Sequence, residues 1–144
     1  MSLTGPILIV EDDPDDQQLL KEIFTELNLP NPLHFLSQGQ EALTYLKTTT
    51  EQPFLILCDV NMPVMNGVEL RHAVFENEIL RRKSIPFIFL TTSADKKSVN
   101  LAYDLSVQGF YVKGNTYEKL FDQIRLIVTY WEHCLHPNRH FPQG

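Results

Sequence analysis

The chain has 144 residues, 43% hydrophobic and 21% charged, so one globular domain burying roughly 70% of its unfolded surface is expected, and disorder, collagen-like repeats and coiled coil are excluded. Eighteen acidic against twelve basic residues leave a net charge of -6, with no dense Lys/Arg stretch to serve nucleic acid or an anionic membrane. No apolar run approaches the ~20 residues of a membrane span, and no basic segment precedes an apolar one at the start, so a cytoplasmic protein is expected.

Short apolar runs alternate with segments of helical period, the pattern of βα units that build a parallel sheet. Residues 7–10 read as the first strand and end in Glu11-Asp12-Asp13. Asp13 then stands as N-cap and Pro14 at the first position of a helix whose Leu20, Ile23, Phe24 and Leu27 share one face. Residues 33–36 are a second strand, after which Ser37 and Gln40 predict a capping box for a helix carrying Ala42, Leu43 and Leu46. Residues 54–58 and 87–91 are nearly continuous apolar runs, as strands covered on both faces should be, and belong mid-sheet. Between them one helix is predicted over 68–80. A fourth helix over 97–105, a fifth strand over 110–112 and a last helix over 116–135 follow. In the last, Leu120, Ile124, Ile127, Val128 and Trp131 keep the 3.6-residue period. The expected division is one domain, 4–135, and a polar tail, 136–144. Cys58 and Cys134 lack CxxC or zinc spacing and read as reduced thiols, and the histidines at 34, 72, 133, 136 and 140 form no ligand pattern.

In open α/β sheets, ligands bind beyond the carboxyl ends of the strands. Here those positions are Glu11-Asp12-Asp13, Asp59, Thr91-Thr92-Ser93 and Lys113. Grouped carboxylates repel unless a cation sits among them, and hard oxygen ligands suit Mg²⁺ or Mn²⁺. Asp59 in such a site could act as a nucleophile towards phosphorus, with Lys113 neutralising phosphoryl oxygens and Thr91 donating its hydroxyl. The run 11–16 also suits a helix N-terminus without any metal, and it is not an EF-hand loop, because Ile23 stands where the closing Glu would be. Phe110 reads as core, and Lys113 taken alone as a solvated strand end.

The segment Asp59-Val60-Asn61-Met62-Pro63-Val64-Met65-Asn66-Gly67, with the acidic pair, hydroxyl and Lys after the other strands, resembles the receiver domain of two-component response regulators from about Ile7 to Trp131. The resemblance implies a flavodoxin-like, doubly wound five-stranded parallel sheet of order 2-1-3-4-5 with five helices. It implies a stand-alone phosphoacceptor, not an enzyme with a separate substrate, that takes a phosphoryl group on Asp59 from a histidine kinase or histidine phosphotransfer protein and assists its own phosphorylation and dephosphorylation. Asp12 and Asp59 would ligate Mg²⁺ through side chains, Asn61 through its backbone carbonyl and Glu11 through water. Lys113 would pair with the phosphoryl oxygens. Thr91 and Phe110 match the switching positions, whose movement alters the face of the fourth helix, fifth strand and fifth helix toward a separate effector or a second copy. Single-domain receivers serving phytochrome-type or other hybrid kinases are the nearest in character.

Three rival readings differ in chemistry. A phosphohydrolase forming an aspartyl phosphate would want an Asp where Asn61 stands. A flavodoxin-type electron carrier would want hydroxyls and Gly, not Glu11-Asp12-Asp13, around its phosphate. A receiver-like module that is never phosphorylated would not need Asp59, Thr91 and Lys113 together. The chain departs from the family pattern at Lys113-Gly114, where Pro usually follows the Lys. A trans bond is expected there, with Gly114 supplying unusual dihedrals and a looser loop.

Overall fold

In the computed structural model, which describes residues 3–135, the elements run β1 (Ile7–Val10), α1 (Pro14–Leu27), β2 (Leu33–Leu36), α2 (Gly39–Thr48), β3 (Leu55–Cys58), α3 (Gly67–Glu76), α4 (Glu78–Arg82), β4 (Phe87–Thr91), α5 (Lys96–Asp104), β5 (Gly109–Val112) and α6 (Tyr117–His133). The strands pair in parallel in the order β2-β1-β3-β4-β5, the doubly wound, flavodoxin-like arrangement expected. The interior strands β1, β3 and β4 are buried along their whole length, whereas the edges β2 and β5 are only partly covered. That difference explains why the interior runs read so clearly as apolar.

Alternation along each strand sends side chains to two separate cores. Leu8 and Val10 of β1 join Ala42, Leu43 and Leu46 of α2, Leu70 and Val74 of α3 and Ala102 of α5. Ile7 and Ile9 face the other way, against Leu20, Ile23 and Phe24 of α1 and Leu120, Ile124, Ile127 and Val128 of α6. The sheet is thus sandwiched, and its carboxyl ends emerge together along one edge.

Local chemistry sets the helix ends, with some departures from expectation. Asp13 caps α1, accepting from the N–H groups of Asp15 (2.8 Å) and Asp16 (3.3 Å). The predicted Ser37/Gln40 capping box does not form: α2 starts at Gly39 behind Gln38, which makes no side-chain cap, and Ser37 Oγ instead accepts from Gln17 Nε2 of α1 at 3.3 Å. The single helix predicted over 68–80 is two, giving six helices instead of five. Asn77 leaves helical geometry (φ -88°, ψ 110°) and its side chain accepts from Leu80 N–H, ending α3 and capping α4 at one residue. Apolar periodicity continued through this break because Leu80 remains buried in the same core. The tail 136–144, with His136 and His140, lies outside the described residues.

Candidate functional site

The sheet itself assembles the site. Asp59 N–H donates to Val10 O (2.9 Å) as β3 leaves the sheet beside β1, and Lys113 N–H donates to Thr91 O (2.7 Å) as β5 leaves beside β4. Glu11, Asp12, Asp59, Asn61, Thr91 and Lys113, from the ends of four strands, therefore share one edge. After β3 the backbone turns tightly: Gly67 N–H donates to Val60 O at 2.9 Å, and a Cβ on Gly67 would stand 2.8 Å from the Phe89 ring and 3.0 Å from Val60 Cα. Glycine is required here by close approach. In the same loop Val64 is wholly exposed and holds a left-handed φ of 65°.

Asp59 is buried, and its two oxygens have different surroundings. Oδ1 accepts from the Thr91 hydroxyl at 2.8 Å and from Asn61 N–H at 3.1 Å, while Asn61 Nδ2 reaches Thr91 Oγ1 at 3.4 Å. Oδ2 faces the Lys113 ammonium at 4.0 Å. The ammonium meets Glu11 Oε1 at 2.5 Å and Asp16 Oδ2 at 3.0 Å. Burial pushes the Glu11 carboxyl up to about 7, and Asp59 adds to that push against the opposing pull of Lys113. Burial alone would lower the Lys113 ammonium, but the hydrogen bond and charge of Glu11, with Asp16 and Asp59 behind them, hold it above its ordinary value.

One carboxylate oxygen from each of Glu11, Asp12 and Asp59 lies within 4.8 Å of the other two. An octahedral Mg²⁺ with ligands at ~2.0–2.1 Å spans nearly that distance, and an all-oxygen donor set suits such a hard cation. Glu11 is already engaged by Lys113 and by Asp13 N–H (3.3 Å), which fits a role through water better than direct ligation. Phe110 is half-buried on β5, its ring 5.5 Å from that of Phe89, between the core and the site's edge. Burial holds the Cys58 thiol well above its ordinary value, which makes it a poor nucleophile beside Asp59.

A family model described as the response regulator receiver domain matches residues 7–125. The chain belongs to the response regulator receiver family. Response regulator Rcp1 of Synechocystis sp. is 32% identical over 130 residues, covering 87% of each chain. The solved structure of the phosphorylated cyanobacterial phytochrome response regulator RcpA has a TM-score of 0.81 at 28% identity, covering 90% of this chain and 94% of that one. The Mn²⁺-bound form of Rcp1 has a TM-score of 0.80 at 29% identity, covering 92% and 97%.

In this receiver the loop after Lys113 corrects one expectation. No peptide bond among the described residues is cis, as expected for Lys113-Gly114, but Gly114 has no positive φ. Glycine is needed for space instead: a Cβ there would lie 2.5 Å from Lys119 Cβ and 2.9 Å from Leu120 N. Nor is the loop untethered. Gln123 of α6 accepts from Gly114 N–H and donates to Val112 O, both at 2.8 Å, clasping the backbone on either side of Lys113. Asp16 and Gln123 are the site-forming residues that sequence spacing did not reveal, since only the fold brings α1 and α6 to the end of β5.

Proposed function

We propose that this receiver carries phosphorelay signals by accepting a phosphoryl group on Asp59 from a histidine kinase or histidine phosphotransfer protein. The observation that carries the reading is the division of labour on Asp59: Thr91 and the Asn61 N–H hold Oδ1, leaving Oδ2 to attack, with a buried ammonium beside it. Oδ2 forms a bond to phosphorus as the bond to the donor's imidazole nitrogen breaks, and that nitrogen keeps the electron pair. Water later attacks the same phosphorus, releasing inorganic phosphate and restoring the carboxylate. Lys113 neutralises phosphoryl oxygens, and Thr91 transfers its hydrogen bond from Asp59 to one of them. Asp12 and Asp59 side chains, the Asn61 carbonyl and Glu11 through water would hold Mg²⁺ or Mn²⁺, which supplies further neutralisation of phosphoryl charge when bound.

The domain spans 4–135 and acts in the cytoplasm as a phosphoacceptor that assists its own chemistry, without nucleic-acid or membrane contact. Thr91 and Phe110 couple the site to the surface formed by α5, β5 and α6, elements on which Leu101, Tyr103, Val112, Leu126 and Tyr130 are exposed. That surface meets a separate effector or a second copy. Likeness to RcpA supports a phytochrome-type kinase as the donor's class.

Incubation with acetyl phosphate and Mg²⁺, followed by intact mass measurement, tests the reading. Wild type should gain one phosphoryl group and Asp59→Asn none. Labelling of Asp59→Asn at the wild-type rate would overturn the assignment, and absence of label on wild type would favour a receiver-like module that is never phosphorylated.

A further inference from the structure

An ammonium has three N–H donors, and the direction in which they are spent decides how strongly it attracts a neighbouring anion. The Lys113 side chain is only 7% exposed, so its partners are nearly all protein groups. The two within hydrogen-bonding distance are Glu11 at 2.5 Å and Asp16 at 3.0 Å, whereas Asp59 stands off at 4.0 Å. Glu11 is buried within the acidic cluster, but Asp16 lies outside it, in the first turn of α1. Its side chain is 27% exposed, so water can solvate its carboxylate when the lysine leaves.

Asp16 and a phosphoryl group on Asp59 would compete for one positive charge. Resting on the reading of Asp59 as the phosphoacceptor, we propose that Asp16 is a positioning residue, a latch that draws the Lys113 ammonium towards α1 and weakens its hold on an anionic group at Asp59. The latch sets how firmly the phosphorylated form is held, through Lys113 and without contact to the phosphoryl group. Asp15, in the same helical turn, is exposed, carries the same charge and makes no ion pair with Lys113, so it provides an internal control.

The test measures beryllofluoride binding at saturating Mg²⁺ by fluorine NMR. Asp16→Asn should bind about threefold more tightly than wild type, the scale of a partly exposed ion pair, while Asp15→Asn stays at the wild-type value. Asp16→Glu should return affinity to wild type. The gain from Asp16→Asn should vanish when Lys113 is replaced by Met, a coupling that a merely structural role in α1 would not produce. Equal or weaker binding by Asp16→Asn, the same gain in Asp15→Asn, or a gain that persists in the Lys113→Met background would each overturn the latch. Asp59→Asn separates the two ideas: if wild type binds no more beryllofluoride than Asp59→Asn, the phosphoacceptor reading fails and the latch falls with it. If wild type binds and Asp16→Asn binds no tighter, only the latch fails.

Discussion

At the scale of single residues, Glu11 ties protonation to stability. Its carboxyl has an ordinary value of 4.5 and is pushed up to about 7 in the folded chain, first by burial. Between those values the folded state holds the extra proton, so this group's contribution to stability is complete below about 4.5 and is lost as pH rises through about 7. Chemical denaturation across that window should show wild type losing stability relative to Glu11→Gln as pH rises, and a pH-independent difference between them would refute the assignment. Val64 offers a second test. A β-branched residue held at φ 65° with its side chain wholly exposed carries backbone strain without compensating packing. Val64→Asn should therefore stabilise the protein by about 1 kcal/mol in urea titrations, as Asn tolerates the left-handed region.

At the scale of elements, two side chains tie helices to the loops that flank β5, one at each end of that strand. Gln123 clasps both flanks of Lys113 from α6, so Gln123→Ala should speed hydrogen exchange at Gly114 while leaving Leu120 and Ile124 in the core protected. Equal exchange at Gly114 in both proteins would show the clasp to be dispensable. Arg71 of α3 does comparable work for α5. It is buried, its guanidinium donates to Leu105 O (2.9 Å) and Ser106 O (3.1 Å), and it lies over the rings of Phe75 and Phe87. Burial lowers its guanidinium to about 10, so it remains a cation at neutral pH. Arg71→Met keeps much of the apolar contact but abandons both carbonyls, and should cost about 2 kcal/mol, read from the denaturation midpoint. Such ties were not legible in the sequence. Asp59, Thr91 and Lys113 could be found because each follows an apolar run, whereas Arg71 and Gln123 sit within helical periods and acquire partners 34 and 9 residues away only through packing. The break at Asn77 was hidden for a related reason: its signal is one capping side chain inside an otherwise continuous apolar pattern.

At the scale of the whole molecule, the continuous apolar character of β3 and β4 placed those two strands mid-sheet, whereas the full order β2-β1-β3-β4-β5 came from the resemblance and not from composition. The surface of α5, β5 and α6, on which Tyr103, Val112 and Tyr130 are exposed, offers the broadest test of the signalling reading. Beryllofluoride with Mg²⁺ should raise the sedimentation coefficient through pairing on this surface, and Tyr130→Glu should abolish the rise. An unchanged coefficient on addition would remove the second copy from the output and leave the separate effector.

The two cores are unequal in one further respect. α1 is made well before α6, yet the apolar face it presents through Leu20, Ile23 and Phe24 is completed by Leu120, Ile124, Ile127 and Val128, a hundred residues later in the chain. The core on the opposite side needs nothing beyond Phe110. During synthesis, then, one side of the sheet can close while the other waits for α6 to clear the ribosome. Throughout that interval the nascent chain exposes a greasy flank alongside β1 and β3, a natural footing for a chaperone and a point at which stalled translation would leave a sticky, half-clad protein.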